Sequence, residues 1–169
     1  MPEYLDVIDK SNKVIGKETR RKCYEKGLLH RGIHILIFNS GGQLLLQKRS
    51  RKKKTFPGYW TSSVSGHVET GSTYEEAALR ELKEEIGIKV KLKRVCDFYA
   101  EEKSNNLIDR EIIRLFSGIC EGPFNPNIEE VEDIKFFYIK DLEHKIKEGK
   151  EKLTPNFIKA FKEFRKKYQ

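Results

Sequence analysis

The sequence predicts a mixed α/β layer fold, an α+β arrangement in one domain spanning residues 1–169. Three observations lead there. The chain has 169 residues, about one domain's worth and enough to bury most of the surface it would otherwise expose. Short β-branched and aromatic runs, bounded by Gly, Asn and Pro, outnumber the helical patterns. Those helical patterns come once in mid-chain and again at the end, so strands and helices do not alternate as in a regular βαβ protein.

Residues 4–8 and 14–20 flank Ser11-Asn12-Lys13 and predict an N-terminal hairpin within residues 1–20. Residues 33–38 form an apolar, β-branched run. Asn39-Ser40-Gly41-Gly42 then turns the chain into an alternating segment at 43–48, a second hairpin. After Pro57-Gly58, residues 60–64 read as a short strand. Residues 72–86 give the clearest helix: Ser72 or Thr73 can cap it, with Glu75 or Glu76 completing a capping box, and Gly87 stops it. Ala78, Leu79, Leu82 and Ile86 fall on one side of it. Strand patterns return at 88–100, 107–119 and 134–139. Helices follow near 140–149 and at 155–167, the last opened by Pro155.

Composition narrows the function classes. The longest uncharged apolar run is far too short to span a bilayer, and no basic-then-apolar leader opens the chain. Cys23, Cys96 and Cys120 are an odd count without a CxxC pair, which argues against a disulfide framework or a zinc knuckle and fits a reducing, cytoplasmic setting. The net charge is +8, yet residues 47–54 alone carry +6 and residues 159–169 carry +4, so the rest of the chain is slightly acidic. The basic character is two local patches, which could be solvated faces or phosphate-binding surfaces.

Chemistry concentrates on the mid-chain helix. Glu81, Glu84 and Glu85 at i, i+3 and i+4 place three carboxylates on one face, away from the apolar side. Their repulsion can be relieved by Arg80 and Lys83, or by bound Mg²⁺ or Mn²⁺, which prefer carboxylate oxygens.

The stretch from Gly66 to Ile88 reads GHVETGSTYEEAALRELKEEIGI. It resembles the Nudix box, with Gly66, Arg80, Glu81, Leu82, Glu84, Glu85, Gly87 and Ile88 at the required spacing; Ser72 stands where the box has its first Glu. The resemblance implies a Nudix fold, with mixed β-sheets sandwiched between α-helices and the box at 66–88. It also implies a metal-dependent pyrophosphohydrolase. Glu84 and Glu85 would be the main metal ligands, Glu81 a ligand or water-positioning residue, the Gly66 carbonyl an added ligand, and Arg80 the partner that orients a glutamate. Ser72 is expected to cap the helix start instead, with activity retained. The box leaves the general base open among Glu81, Glu101, Glu102 and the acids of Glu129-Glu130-Val131-Glu132.

A wider resemblance, carried by Asn39 to Arg49 and by Phe56 to His67, is to type 1 isopentenyl diphosphate isomerases, themselves Nudix folds. It implies metal-binding roles for His30, His67 and Glu111, with Asp109 a neighbouring acidic ligand. Arg49 and Lys53 become the diphosphate-binding pair, leaving Lys52 and Lys54 solvated. Two departures weigh against isomerase activity: Ser65 replaces the cysteine before Gly66-His67, and Cys23 replaces a metal histidine. A serine hydroxyl relays protons poorly at neutral pH. Trp60 is the candidate to stack on a substrate base, with Phe56 and Tyr99 beside it; core packing is the alternative. The partner expected is a nucleotide or other diphosphate, with RNA a lesser alternative and a homodimer the family-level expectation.

Overall fold

The computed structural model describes residues 1–169 as nine strands and four helices. The expected first hairpin is present: β1 (Tyr4–Ile8) pairs with β2 (Val14–Thr19) as a separate two-stranded sheet. Where the sequence predicts strand up to residue 20, helix α1 (Arg20–Lys26) begins instead. Thr19 caps it by accepting from the Lys22 N–H, and Gly27 closes it at φ 62°. The cap and stop signals are ordinary ones. With only Cys23 buried, the helix has no apolar stripe that periodicity could reveal.

The remaining strands form one seven-stranded mixed sheet. Its path runs β5 (Trp60–Thr61), β4 (Leu44–Arg49), β3 (Leu29–Phe38), β8 (Leu107–Ile119) and β7 (Lys93–Ser104). Strand β6 (Val64–His67) joins β3, and β9 (Val131–Phe137) joins β4. Only the β3–β8 pairing is parallel. Side-chain alternation along β3 divides the core. Ile33, Ile35 and Ile37 pack with helix α2 (Tyr74–Ile86). Leu36 faces Leu142 of α3 (Ile139–Glu148) and Phe157 and Phe161 of α4 (Pro155–Lys167). The sheet therefore lies between helices, as the resemblance implies. No helix is long and apolar enough to cross a membrane.

Helix α2 is capped by Thr73, whose hydroxyl accepts from Glu76 N–H while Glu76 accepts from Thr73 N–H. Ser72 lies outside the helix, its N–H donating to Glu69 O, so it does not cap. The buried stripe is Tyr74, Ala77, Ala78, Leu82 and Ile86. Leu79 falls at the edge of that stripe and is 45% exposed, contrary to its expected place.

The feature that positions the site is a parting of the sheet. Strands β3 and β4 pair only at Ile37–Leu45 and Phe38–Leu44. Beyond that, β3 takes β6 as its neighbour while β4 takes β5 and β9. Parting strands leave backbone groups without ladder partners, and these must be satisfied when buried. Ser63 does so: its hydroxyl accepts from Ile37 N–H at 2.8 Å and donates to Leu45 O. The expected strand at 60–64 is thus two strands with Ser62-Ser63 between them.

Candidate active site

A cleft of about 450 Å³ opens along this parting, and 2 of its 24 lining residues are hydrophobic. Helix α2 supplies one wall. Glu81, Glu84 and Glu85 all line it, with Gly66 and Arg80. A Cβ on Gly66 would sit 2.5 Å from the Glu81 carboxyl carbon, so only glycine lets that carboxylate lie against β6. Arg80 clasps the group: its Nη1 lies 3.1 Å from Glu81 and 3.4 Å from Glu84, and its Nη2 donates to His67 O at 3.1 Å. Gln47 Nε2 donates to Glu85 at 2.5 Å. Burial, then the Glu85 charge, push the Glu81 carboxyl up to about 8. Burial pushes Glu85 up to about 7, against Gln47, Lys53 and Arg49. A cation between them would reverse both shifts.

Cations stand across from these acids. Arg49 donates through Nε and Nη2 to Thr55 O at 3.1 and 2.9 Å, leaving Nη1 without a protein acceptor. Lys53 lines the cleft and is paired with Glu130. Glu129 pairs with Lys52, and Glu132 with Lys48 and Arg51. The basic loop is therefore clasped by the acidic turn, and among those three glutamates only Glu130 lines the cleft. Glu102 also lines it, pushed up to about 7 by burial and the Asp109 charge. Glu101 does not; it is held by Tyr99 and Arg110. The cations of α4 are also largely engaged: Lys159 and Lys167 donate to backbone carbonyls, Arg165 to Glu143 and Lys166 to Glu163.

The far wall carries a second group. Ligand atoms of His30, His67, Asp109 and Glu111 lie within 4.8 Å of one another. Register explains the assembly: β3 sets His30 beside Glu111 and Gly32 beside His67, and Asp109 shares a β8 face with Glu111. A Cβ at Gly32 would overlap the Glu111 carboxylate. His30 Nδ1 must carry its proton, because it faces Leu28 O at 2.8 Å and a carbonyl only accepts. A neutral ring then aims the bare Nε2 at Asp109 Oδ1, 3.0 Å away, and both atoms are buried with no hydrogen-bond partner. Two lone pairs so placed want a proton or a metal ion between them, so the donor set fits a cation. Burial and the Asp109 charge drive Glu111 well above the ordinary carboxyl range. Burial also acts upward on Asp109, but when a proton fills the gap from His30 Nε2, that hydrogen bond and the charge on the rings outweigh it and hold Asp109 below that range. Tyr24 closes the group, its hydroxyl 2.8 Å from His67 Nε2 and 3.0 Å from Asp109 Oδ2. Cys23 stays outside it, fully buried, with its thiol pushed up to about 11 by burial.

The NUDIX domain family model matches residues 28–157. The chain belongs to the NUDIX domain family. This Nudix protein is 38% identical over 143 residues to an isopentenyl-diphosphate Delta-isomerase 2 of Photorhabdus laumondii, covering 84% of this chain and 81% of that one. It is 34% identical over 135 residues to an uncharacterized Nudix hydrolase of Pseudomonas aeruginosa, covering 79% and 78%. The crystal structure of DR0079 from Deinococcus radiodurans superimposes with a TM-score of 0.80 at 23% identity, over 99% of this chain and 100% of that one, a likeness of fold.

Of the substrate-binding residues expected from sequence, Arg49 and Lys53 reach the cleft and Trp60 does not. Its ring packs edge-on against Phe137 at 5.2 Å, on the core side of β5. Tyr99 is also off the wall, whereas Phe56 is on it. Sequence reasoning missed Arg20 and Tyr24 of α1, Gln47, and the Thr61, Thr154 and Asn156 side chains at the cleft's inner end. Thr61 and Thr154 hydroxyls bond at 2.8 Å, and Asn156 N–H donates to Glu102 at 2.9 Å. The only signal for the last two was Thr154-Pro155, a helix start.

Proposed function

We propose that this Nudix protein hydrolyses a phosphoanhydride bond in a diphosphate-containing substrate, an X-P-P-nucleoside or a nucleoside di- or triphosphate. One observation carries the reading: the α2 carboxylates and the cations Arg49 and Lys53 face one another in a cleft whose wall is almost wholly polar. The Gly66 carbonyl, Glu81, Glu84 and Glu85 would hold Mg²⁺ or Mn²⁺. Such an ion supplies charge neutralisation at a diphosphate and an acidified water for in-line attack. Arg49 Nη1 and Lys53 orient phosphate oxygens, Lys53 exchanging Glu130 for substrate. Arg80 holds Glu81 and Glu84 in place, and Gln47 holds Glu85. Glu102 and Glu130 are the proton acceptors outside the metal set.

A second reading, double-bond isomerisation in a C5 diphosphate, is favoured by the His30, His67, Asp109 and Glu111 group and by the names of several relatives. Two features weigh against it. Ser65 supplies a hydroxyl where a thiol is needed. An isoprenyl chain gains about 0.8 kcal/mol per buried methylene only against apolar surface, and this wall offers little.

The deciding experiment is a product-resolved assay by chromatography and ³¹P NMR on wild type and Glu85→Gln. The panel holds nucleoside diphosphates, triphosphates, dinucleotides and isopentenyl diphosphate, with Mg²⁺ and then Mn²⁺. Metal-dependent release of a nucleoside monophosphate that vanishes in the variant supports hydrolysis. Turnover of isopentenyl diphosphate alone overturns it.

A further inference from the structure

His34 stands on the cleft wall without a role in either acidic group. It lies in mid-β3, is 5% exposed and pairs across the sheet with Ser65. Its Nδ1 is 2.7 Å from the hydroxyl of Ser62, which is itself fully buried. Ser62 makes no other side-chain hydrogen bond.

That isolation fixes the proton. A hydroxyl has one hydrogen to donate. If His34 donated through Nδ1, the Ser62 hydrogen would be buried with no acceptor, the costlier arrangement. The favoured arrangement has Ser62 donating to Nδ1, so a neutral ring carries its own hydrogen on Nε2. Burial, with Arg49 opposing protonation and Asp109 favouring it, lowers the ring to about 4, so it is neutral in ordinary conditions. Nε2 has no protein partner, yet it is not among the sealed, unsatisfied atoms of the interior. It therefore opens on the cleft that His34 lines.

We infer that His34 is a substrate-binding residue whose Nε2–H donates a hydrogen bond to a phosphoryl oxygen of the bound diphosphate, beside the Arg49 guanidinium. The inference rests on the reading that a diphosphate occupies this cleft. A neutral donor suits this place. It can bind an anionic oxygen without adding a charge that would repel a metal ion held by Glu81 and Glu85. It also accepts nothing, so a substrate hydroxyl offered as a donor gains no bond there.

The test is long-range ¹H–¹⁵N correlation NMR of the histidine rings in the full chain with Mg²⁺, before and after methylenediphosphonate. The expected result is an Nε2–H tautomer for His34 and a shift of its ring nitrogen and proton signals as the diphosphonate saturates. An Nδ1–H tautomer, or His34 signals that stay still at saturation, overturns the inference. These measurements use wild type and do not depend on a variant folding. Binding then adds a second readout. His34→Leu should bind the diphosphonate about tenfold more weakly, the fold-change of one lost 1.4 kcal/mol contact. His34→Gln, which restores a donor, should recover most of that loss; equal weakening in both also overturns the inference. The two readings fail separately. A shifted His34 without hydrolysis of any nucleotide sinks the hydrolase alone, and hydrolysis with an unmoved His34 sinks only the role of His34.

Discussion

The α2 carboxylates and the group on β3, β6 and β8 line the same cleft but are built in opposite ways. Glu81, Glu84 and Glu85 come from five consecutive residues of one helix, and Glu84 is exposed. Arg80 and Gln47 hold them, and Glu81 also lies close against Gly66. His30, His67, Asp109 and Glu111 come from three strands, and all but Asp109 are buried. Their positions are fixed by sheet register and by Gly32. A set with an exposed member is open to ligands from the cleft, whereas a set buried between three strands is fixed before any ligand arrives.

Four measurements sharpen or break this contrast. The largest effect is expected from Glu85→Gln, a loss of at least about 100-fold in metal-dependent hydrolysis with little change in melting temperature. His30→Ala should cost less than about 10-fold if the strand group is accessory. Steady-state kinetics with melting curves on both variants checks this, and equal losses would erase the distinction. Next comes Gly32→Ala, whose methyl must displace the Glu111 carboxylate. A destabilisation of about 1–3 kcal/mol in denaturant titration is expected.

The third concerns pH. Glu81 and Glu85 carry pKa values raised to about 8 and about 7, so the folded, metal-free protein holds protons that the unfolded chain has already lost. Their contribution to stability is therefore present in acid and lost as pH rises through 7 to 8. Magnesium should counter that loss, and its affinity should increase from about pH 6 to about pH 8.5 as the carboxylates shed protons. Calorimetric titration across that range tests it, and flat affinity would remove the α2 acids from the metal set. The smallest effect belongs to Trp60→Phe: less than about twofold in kcat/KM and about 1 kcal/mol in stability, since the ring packs on Phe137.

How much the sequence disclosed follows the same division. The α2 set was legible because i, i+3, i+4 spacing is local geometry, and the capping box and Gly87 bracket the helix. The strand group was not legible from periodicity. It depends on a parallel β3–β8 pairing that joins Leu29 to Arg110, and only family resemblance named its members. Arg20 and Tyr24 escaped notice because α1 is 7 residues long with one buried side chain. Trp60 was misplaced because a two-residue strand has too little alternation to say which face an aromatic takes. His34, in an apolar strand, revealed nothing until Ser62 appeared beside its ring.

The inner end of the cleft has a consequence for the order of events during synthesis. Thr154 and Asn156 reach it because Trp60 N–H donates to Lys152 O and Thr154 N–H donates to Trp60 O, tying the start of the last helix to the middle of the sheet. The cleft's carboxylates and the cations Arg49 and Lys53 are all in place by residue 130, yet Glu102 and Glu111 lack their Asn156 partner until the final helix begins. A nascent chain can thus carry the whole box and still have an open-ended cleft. Closure waits for a contact spanning over ninety residues, the kind of long loop that folds late.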